Sequence, residues 1–261
     1  MIQTIASEAS RQTQYQPAPA HELSQLTANG ILIGVPRAIS IEQHREFPLI
    51  EVNLRIESLR AIAVAQFMET HNHIHVIWRI VIDKFHLKDP FVSKEWQIFL
   101  ALFNEKHCMA HTLILSYDWE VEFSYMLLEQ IHNLKKTSGI MIYVDAEHYS
   151  WKAPKVQETM LSLRLPQVFH DAPCLPGLIK NVGYHVGSVA ILRCIGRNRK
   201  SWFEPNVDER YAYTYLHEEL HEIAKRSLIL KEDHKEVLIL FCNRPASSTI
   251  NSALLLAHML Q

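Results

Sequence analysis

The sequence predicts an α/β protein: a mostly parallel sheet with helices on both faces and an N-terminal α/β extension. Three observations predict it. Apolar runs of strand length alternate along the chain with stretches of helical period. A length of 261 residues with 48% apolar content is ample for a packed core. The longest apolar runs, such as Val237 to Phe241, fall far short of the roughly 20 residues a membrane-spanning helix needs.

The elements follow in order. The first stretch, MIQTIASEASRQTQYQPAPA, has neither a basic start nor an apolar core; it reads as a flexible tail over 1–29 and not as an export signal. A cytoplasmic location is the expectation. Strands are predicted over 31–35, 49–56, 73–82, 112–116, 140–144, 188–195 and 236–241, where β-branched and aromatic residues concentrate. Helices are predicted between them over 58–69, 93–105, 119–135, 155–163, 208–227 and 247–260. KTSG at 136–139 links a charged helix end to a new strand, which divides the chain softly into an N-terminal α/β region, 30–137, and a second region, 138–261. Ligands of open sheets bind beyond the carboxyl ends of strands, and this directs attention to Asp118, Asp145 and the segment from Cys242 to Thr249.

Charge excludes a global field: 26 basic side chains stand against 28 acidic ones, so nucleic acid would have to meet a local patch. Four scattered cysteines lack CxxC spacing and are expected to be reduced.

Several constellations carry chemistry. In IYVDAEHYSW, 142–151, a buried strand ends in Asp145 and Glu147; carboxylates there can hold a hard divalent cation or cap a turn. In RCIGRNRKSW, Arg193, Arg197, Arg199 and Lys200 lie near Trp202, which suits single-stranded RNA, charge to phosphate and ring to base, or a solvated basic turn. CNRPASST places Arg244 and Ser247 at a helix start, either an anion site or a structural cap. HEELH matches the zinc-protease pattern, with Zn2+ on His217 and His221 and Glu218 as base; with sixteen histidines in the chain, the edge of an apolar helix stripe is the other reading. HNHIHVIWRIVID puts His71, His73, His75, Arg79 and Asp83 on one strand face. That face could bind metal, serve a nicking reaction with Tyr125, Tyr211 or Tyr215 as nucleophile, form an edge, or make a subunit contact in a homo-oligomer.

Taken together, IYVDAEHYSW, VFHDAP (168–173), EPNVDERYAYTYL (204–216) and VLILFCNRPAS (237–247) occur in an order that resembles the NYN domain, a branch of the PIN-like ribonuclease superfamily, over 138–261. The resemblance implies a PIN-like, Rossmannoid fold and a metal-dependent RNA endonuclease. It makes Asp145 and Asp208 ligands of Mg2+ or Mn2+, Glu209 an auxiliary acid, and Asn243 the occupant of the late acidic loop. His148, Asn243 and Pro245 depart from that pattern, so a degenerate RNA-binding relative or a non-catalytic interaction module is implied as the alternative, with the HEELH zinc hydrolase as a third reading.

Overall fold

In the computed structural model the described residues are 27–28, 30–36, 49–56, 59–70, 75–88, 90–105, 111–178, 186–204 and 206–261. The strands are β1 (Thr27–Ala28), β2 (Ile31–Pro36), β3 (Leu49–Arg55), β4 (His75–Ile82), β5 (His111–Tyr117), β6 (Ile142–Ala146), β7 (Phe169–Asp171), β8 (Val189–Cys194) and β9 (Glu236–Phe241). The helices are α1 (Ala61–Thr70), α2 (Lys94–Glu105), α3 (Tyr125–Ser138), α4 (Pro154–Ser162), α5 (Val207–Arg210), α6 (His217–Asp233) and α7 (Ala246–Met259). The expected tail lies outside the described residues except at β1, which pairs antiparallel with β2. His71 and His73 also lie outside them.

Strands β2 to β9 are all parallel and run in the order β6-β5-β4-β3-β2-β9-β8-β7. The two ends of that order meet: Val144 N donates to Pro166 O at 2.8 Å and Val168 N to Val144 O at 2.9 Å, a parallel bridge beside β7. The sheet therefore curls round into a nearly closed barrel of eight strands, the TIM-barrel-like arrangement. This corrects the expected sheet with helices on both faces. One face of every strand points into the barrel, where Leu49, Ile77, Ile114, Tyr143, Val168, Ile191 and Leu238 pack together; the other face packs under the helices. Strands on both sides of Gly139 belong to this one sheet, since β5 pairs with β6 from Leu113↔Ile142 to Tyr117↔Ala146.

The helices form where an apolar stripe meets end signals. Ser124 caps α3 by accepting from Leu127 N at 3.2 Å, Gly139 ends it with φ 70°, and Leu127, Leu128, Ile131 and Leu134 are buried. The stretch expected as one helix over 208–227 splits into α5 and α6. Between them the chain is held extended: Tyr213 N donates to Arg244 O at 2.9 Å and Asn243 Nδ2 to Tyr213 O at 2.8 Å. The Glu219 carboxylate then starts α6 by accepting from Leu216 N at 2.9 Å. Gly34 lets β2 lie against β3, since a Cβ there would stand 2.2 Å from Leu49 O. Among the described residues no helix is long and apolar enough to cross a membrane.

Candidate active site at the barrel mouth

The alternation that sends Leu49, Ile77, Ile114, Tyr143, Val168 and Ile191 into the barrel sends the residue two places further on inward as well. Those residues are Glu51, Arg79, Ser116, Asp145, His170 and Arg193. They form a polar cluster toward the C-terminal ends of the strands. Asp145 is its centre and is fully buried. Its Oδ2 accepts from Arg79 Nε at 3.0 Å, Ser116 Oγ at 2.8 Å and Arg193 Nη1 at 2.8 Å, and its Oδ1 meets His170 Nε2. Arg193 spends its other nitrogens on Glu51, Nε to Oε2 at 3.0 Å and Nη2 to Oε1 at 3.3 Å. Arg79 Nη1 reaches Asn53 Oδ1 at 3.1 Å.

Buried charges persist only when paired, and here the pairing is close to complete. Burial alone would raise the Asp145 carboxyl, but Arg193, His170 and Arg79 outweigh it and hold the group well below the usual carboxylate range. Burial pulls on Arg193 in the opposite sense, and Glu51 and Asp145 keep it charged. A buried cation, Arg193, and a largely buried one, Arg79, face two buried anions, Glu51 and Asp145, so the cluster is a fixed set of dipoles.

Glu147, two residues beyond Asp145, is different. It is 3% exposed, and its Oε2 has no hydrogen-bond partner. Burial, then the charges of Asp118 and Asp145, push its carboxyl up to about 7 against the partial opposition of Arg79 and Arg193. A buried carboxyl that titrates near neutrality, with one oxygen left without a partner, has the properties of a general acid or base.

The segment after β8 returns to the barrel interior. Its Tyr211 packs against the barrel-interior residues and beside Trp202 at 5.9 Å between rings. The fields of Glu147, Arg79, Arg193 and Asp118 all reach the Tyr211 phenol, which burial pushes up.

The residues singled out from the sequence fall into separate places. Asp145 is inside the barrel, whereas Asp208 is 76% exposed and pairs with Arg244 at 3.3 Å; no hydrogen bond or ion pair joins them. Glu209 is exposed and accepts from Asn206 Nδ2 at 3.1 Å. Asn243 is buried, its Oδ1 without a partner. Arg193 belongs to the interior cluster, and Arg197 is held by Asp171, Glu219 and Glu222. Arg199, Lys200 and Ser247 are exposed. His217 and His221 lie exposed on the first turns of α6 with ring centroids 4.6 Å apart. Among the described residues no three or more His, Cys, Asp or Glu side chains are grouped to hold a metal ion.

Sequence reasoning passed over Glu51, Ser116 and His170. A signal for them was present: strand after strand carries an apolar residue, any residue, then a polar one, as in Leu49-Ile50-Glu51, Ile77-Trp78-Arg79, Tyr143-Val144-Asp145 and Ile191-Leu192-Arg193.

A parallel barrel with a dense, buried polar cluster at the strand C-terminal ends has the layout of the barrel enzymes, whose sites occupy that face. The chain belongs to the DUF72 family, described as a protein of unknown function, which matches residues 77–261. Solved structures agree on the fold. A DUF72 family protein from Thermotoga maritima is similar over 82% of this chain and 85% of its own, with 21% identity and a TM-score of 0.66. Another from Enterococcus faecalis is similar over 89% of this chain and 98% of its own, with 16% identity and a TM-score of 0.71. No curated protein matches the chain.

These findings overturn the resemblance to the NYN domain. The family match runs through residue 138 without a break, IYVDAEHYSW is β6 and its following turn, and VFHDAP contains β7 of the barrel. The PIN-like fold and the RNA endonuclease reading, active or degenerate, fall with it.

Proposed function

We propose that the protein is an enzyme that performs general acid–base chemistry on a small polar substrate bound in the barrel mouth, with Glu147 as the group that gives and takes the proton. The observation that supports this is the buried Glu147 carboxyl, raised to about 7 and with Oε2 unpartnered. At neutral pH such a group is present in both protonation states, the condition under which it can both give and take a proton.

The other residues have distinct parts. Arg79 is 12% exposed and uses Nε and Nη1 within the cluster, so Nη2 is the nitrogen free among the described residues to polarise a carbonyl or hydroxyl oxygen of the substrate. Asp145 orients Arg79 and Arg193 and remains ionised throughout. Preorganised donors of this kind need no rearrangement as charge develops.

A panel of small hydroxy and carbonyl compounds, incubated with the protein in deuterated buffer and followed by NMR, tests the reading. Wild type converts or deuterates a member of the panel, and Glu147→Gln loses roughly 100- to 10,000-fold of that rate. A compound turned over equally by both proteins would show that Glu147 is not the proton-transfer group.

A further inference from the structure

Asp118 follows β5 on one side of the barrel mouth, and Arg210 ends α5 within the loop after β8. The two meet, Arg210 Nη1 to Asp118 Oδ1 at 3.5 Å, with side chains 9% and 38% exposed. Beside this pair, Trp119 and Phe203 make an edge-to-face contact at 5.1 Å across the same gap. Arg210 is also tied to its own loop, since Nε and Nη2 donate to Glu204 O at 3.4 and 3.1 Å. Asp118 is tied to its own turn by accepting from Trp119 N at 2.7 Å. The contact therefore joins two locally braced loops.

Glu147 N donates to Tyr117 O at 3.3 Å, which sets it beside the residue that precedes Asp118. The charged and titratable groups that face it are Asp118 after β5, Asp145 on β6, Arg79 on β4, Arg193 on β8 and Tyr211 one residue past Arg210. Asp145, Arg79 and Arg193 are locked to one another. Asp118 is the member of the set whose counter-ion, Arg210, comes from the segment that follows β8. Its negative charge favours the protonated form of Glu147, and a cation at Arg210 offsets part of that field.

We propose that Arg210 is a positioning residue for Glu147: paired with Asp118, it fastens the loop after β8 across the barrel mouth, keeps Tyr211 over the acid and balances the Asp118 charge beside it. This rests on the reading of Glu147 as the proton-transfer group, but it is tested on the carboxyl itself and needs no substrate. With the pair made, the Glu147 side of the mouth is shut to water while the Arg79 and Asn53 side stays accessible. When the pair breaks, the loop loosens and Glu147 feels an uncompensated Asp118.

The test uses the full chain labelled with 13C at the glutamate carboxyls, with Glu147→Gln to assign the Glu147 signal, together with hydrogen exchange of the loop. Arg210→Gln moves the Glu147 titration to higher pH, and Asp118→Asn moves it to lower pH. The double variant titrates between the two single variants, because the two charges act on Glu147 with opposite sign. Amide exchange between residues 197 and 216 speeds up in either single variant by up to roughly fivefold, the upper range for a partly exposed ion pair. Shifts in the same direction from the two single variants, or an Arg210→Gln variant whose Glu147 titrates as in wild type, overturn the inference. So does loop exchange that neither variant changes. Asp118 is part-exposed, and its variant keeps the test available if Arg210→Gln folds poorly. A wild-type Glu147 that titrates near 4.5 defeats the proposed function instead, and the opposed shifts still decide this inference.

Discussion

Replacing Asp145 by Asn removes the charge at the centre of the barrel and leaves its shape in place. Arg79 Nε, Arg193 Nη1 and the Ser116 hydroxyl all donate to Oδ2, and the amide oxygen of Asn can still accept from them. What disappears is the negative charge that offsets the buried Arg193 guanidinium and the largely buried Arg79 one. Breaking a buried pair in this way costs about 3–5 kcal/mol, a large part of the roughly 5–15 kcal/mol that holds a domain folded. With a urea slope of about 3 kcal/mol per molar, the unfolding midpoint should fall by roughly 1–1.7 M. Fluorescence of the buried Trp78, Trp96, Trp151 and Trp202 reports the transition. The pH dependence has a definite sign. The folded-state affinity of Asp145 for a proton is depressed, so its contribution is full above the unfolded value of about 3.9 and is lost as pH falls through the folded one. The gap between wild type and Asp145→Asn should therefore be constant from pH 7 to 5 and should shrink below about pH 4. An unchanged midpoint at pH 7 would refute the claim that Asp145 organises the interior charges.

Three further outcomes follow from the same geometry. Ser116→Ala removes one neutral donor from a carboxylate that keeps both arginines, and urea titration should show a loss of about 1 kcal/mol, well below that of Asp145→Asn. Glu147 has the opposite linkage from Asp145. Its proton affinity is raised in the folded state from 4.5 to about 7, so its contribution is full below 4.5 and is lost as pH rises through 7; Glu147→Gln should gain on wild type across that window by up to about 3 kcal/mol, read as a Tm difference that opens between pH 5 and 8. Gly34→Ala drives a Cβ to within 2.2 Å of Leu49 O, and the forced separation of β2 from β3 should cost about 1–3 kcal/mol or more, seen as a lower Tm.

The parallel sheet was legible because parallel strands announce themselves as apolar runs: EVLILF in β9 is buried through five of its six positions. Closure into a barrel was not. Alternation of strand and helix serves open and closed sheets alike, and the strand that completes the ring, β7, is three residues long and reads FHD. Two polar residues in three give no hydrophobic signal, and His170 is buried because Asp145 receives it, a fact about another strand. The basic cluster shows the same limit. Arg193, Arg197, Arg199 and Lys200 look alike in sequence, but the pleat turns Arg193 into the barrel, three carboxylates take Arg197, and only Arg199 and Lys200 of the four remain exposed. Asp145 was visible as a strand-end acid. Its partners were not, because they come from strands up to 66 residues away and meet it only when the sheet curls.

The most direct measurement is the titration of the Glu147 carboxyl in the wild-type protein, followed through its 13C resonance between pH 3 and 9. A midpoint near 7 is the predicted result, the signature of an acid kept out of water beside two other carboxylates. A midpoint near 4.5, the value of a solvated glutamate, would contradict the account and remove the proton-transfer group from the barrel mouth.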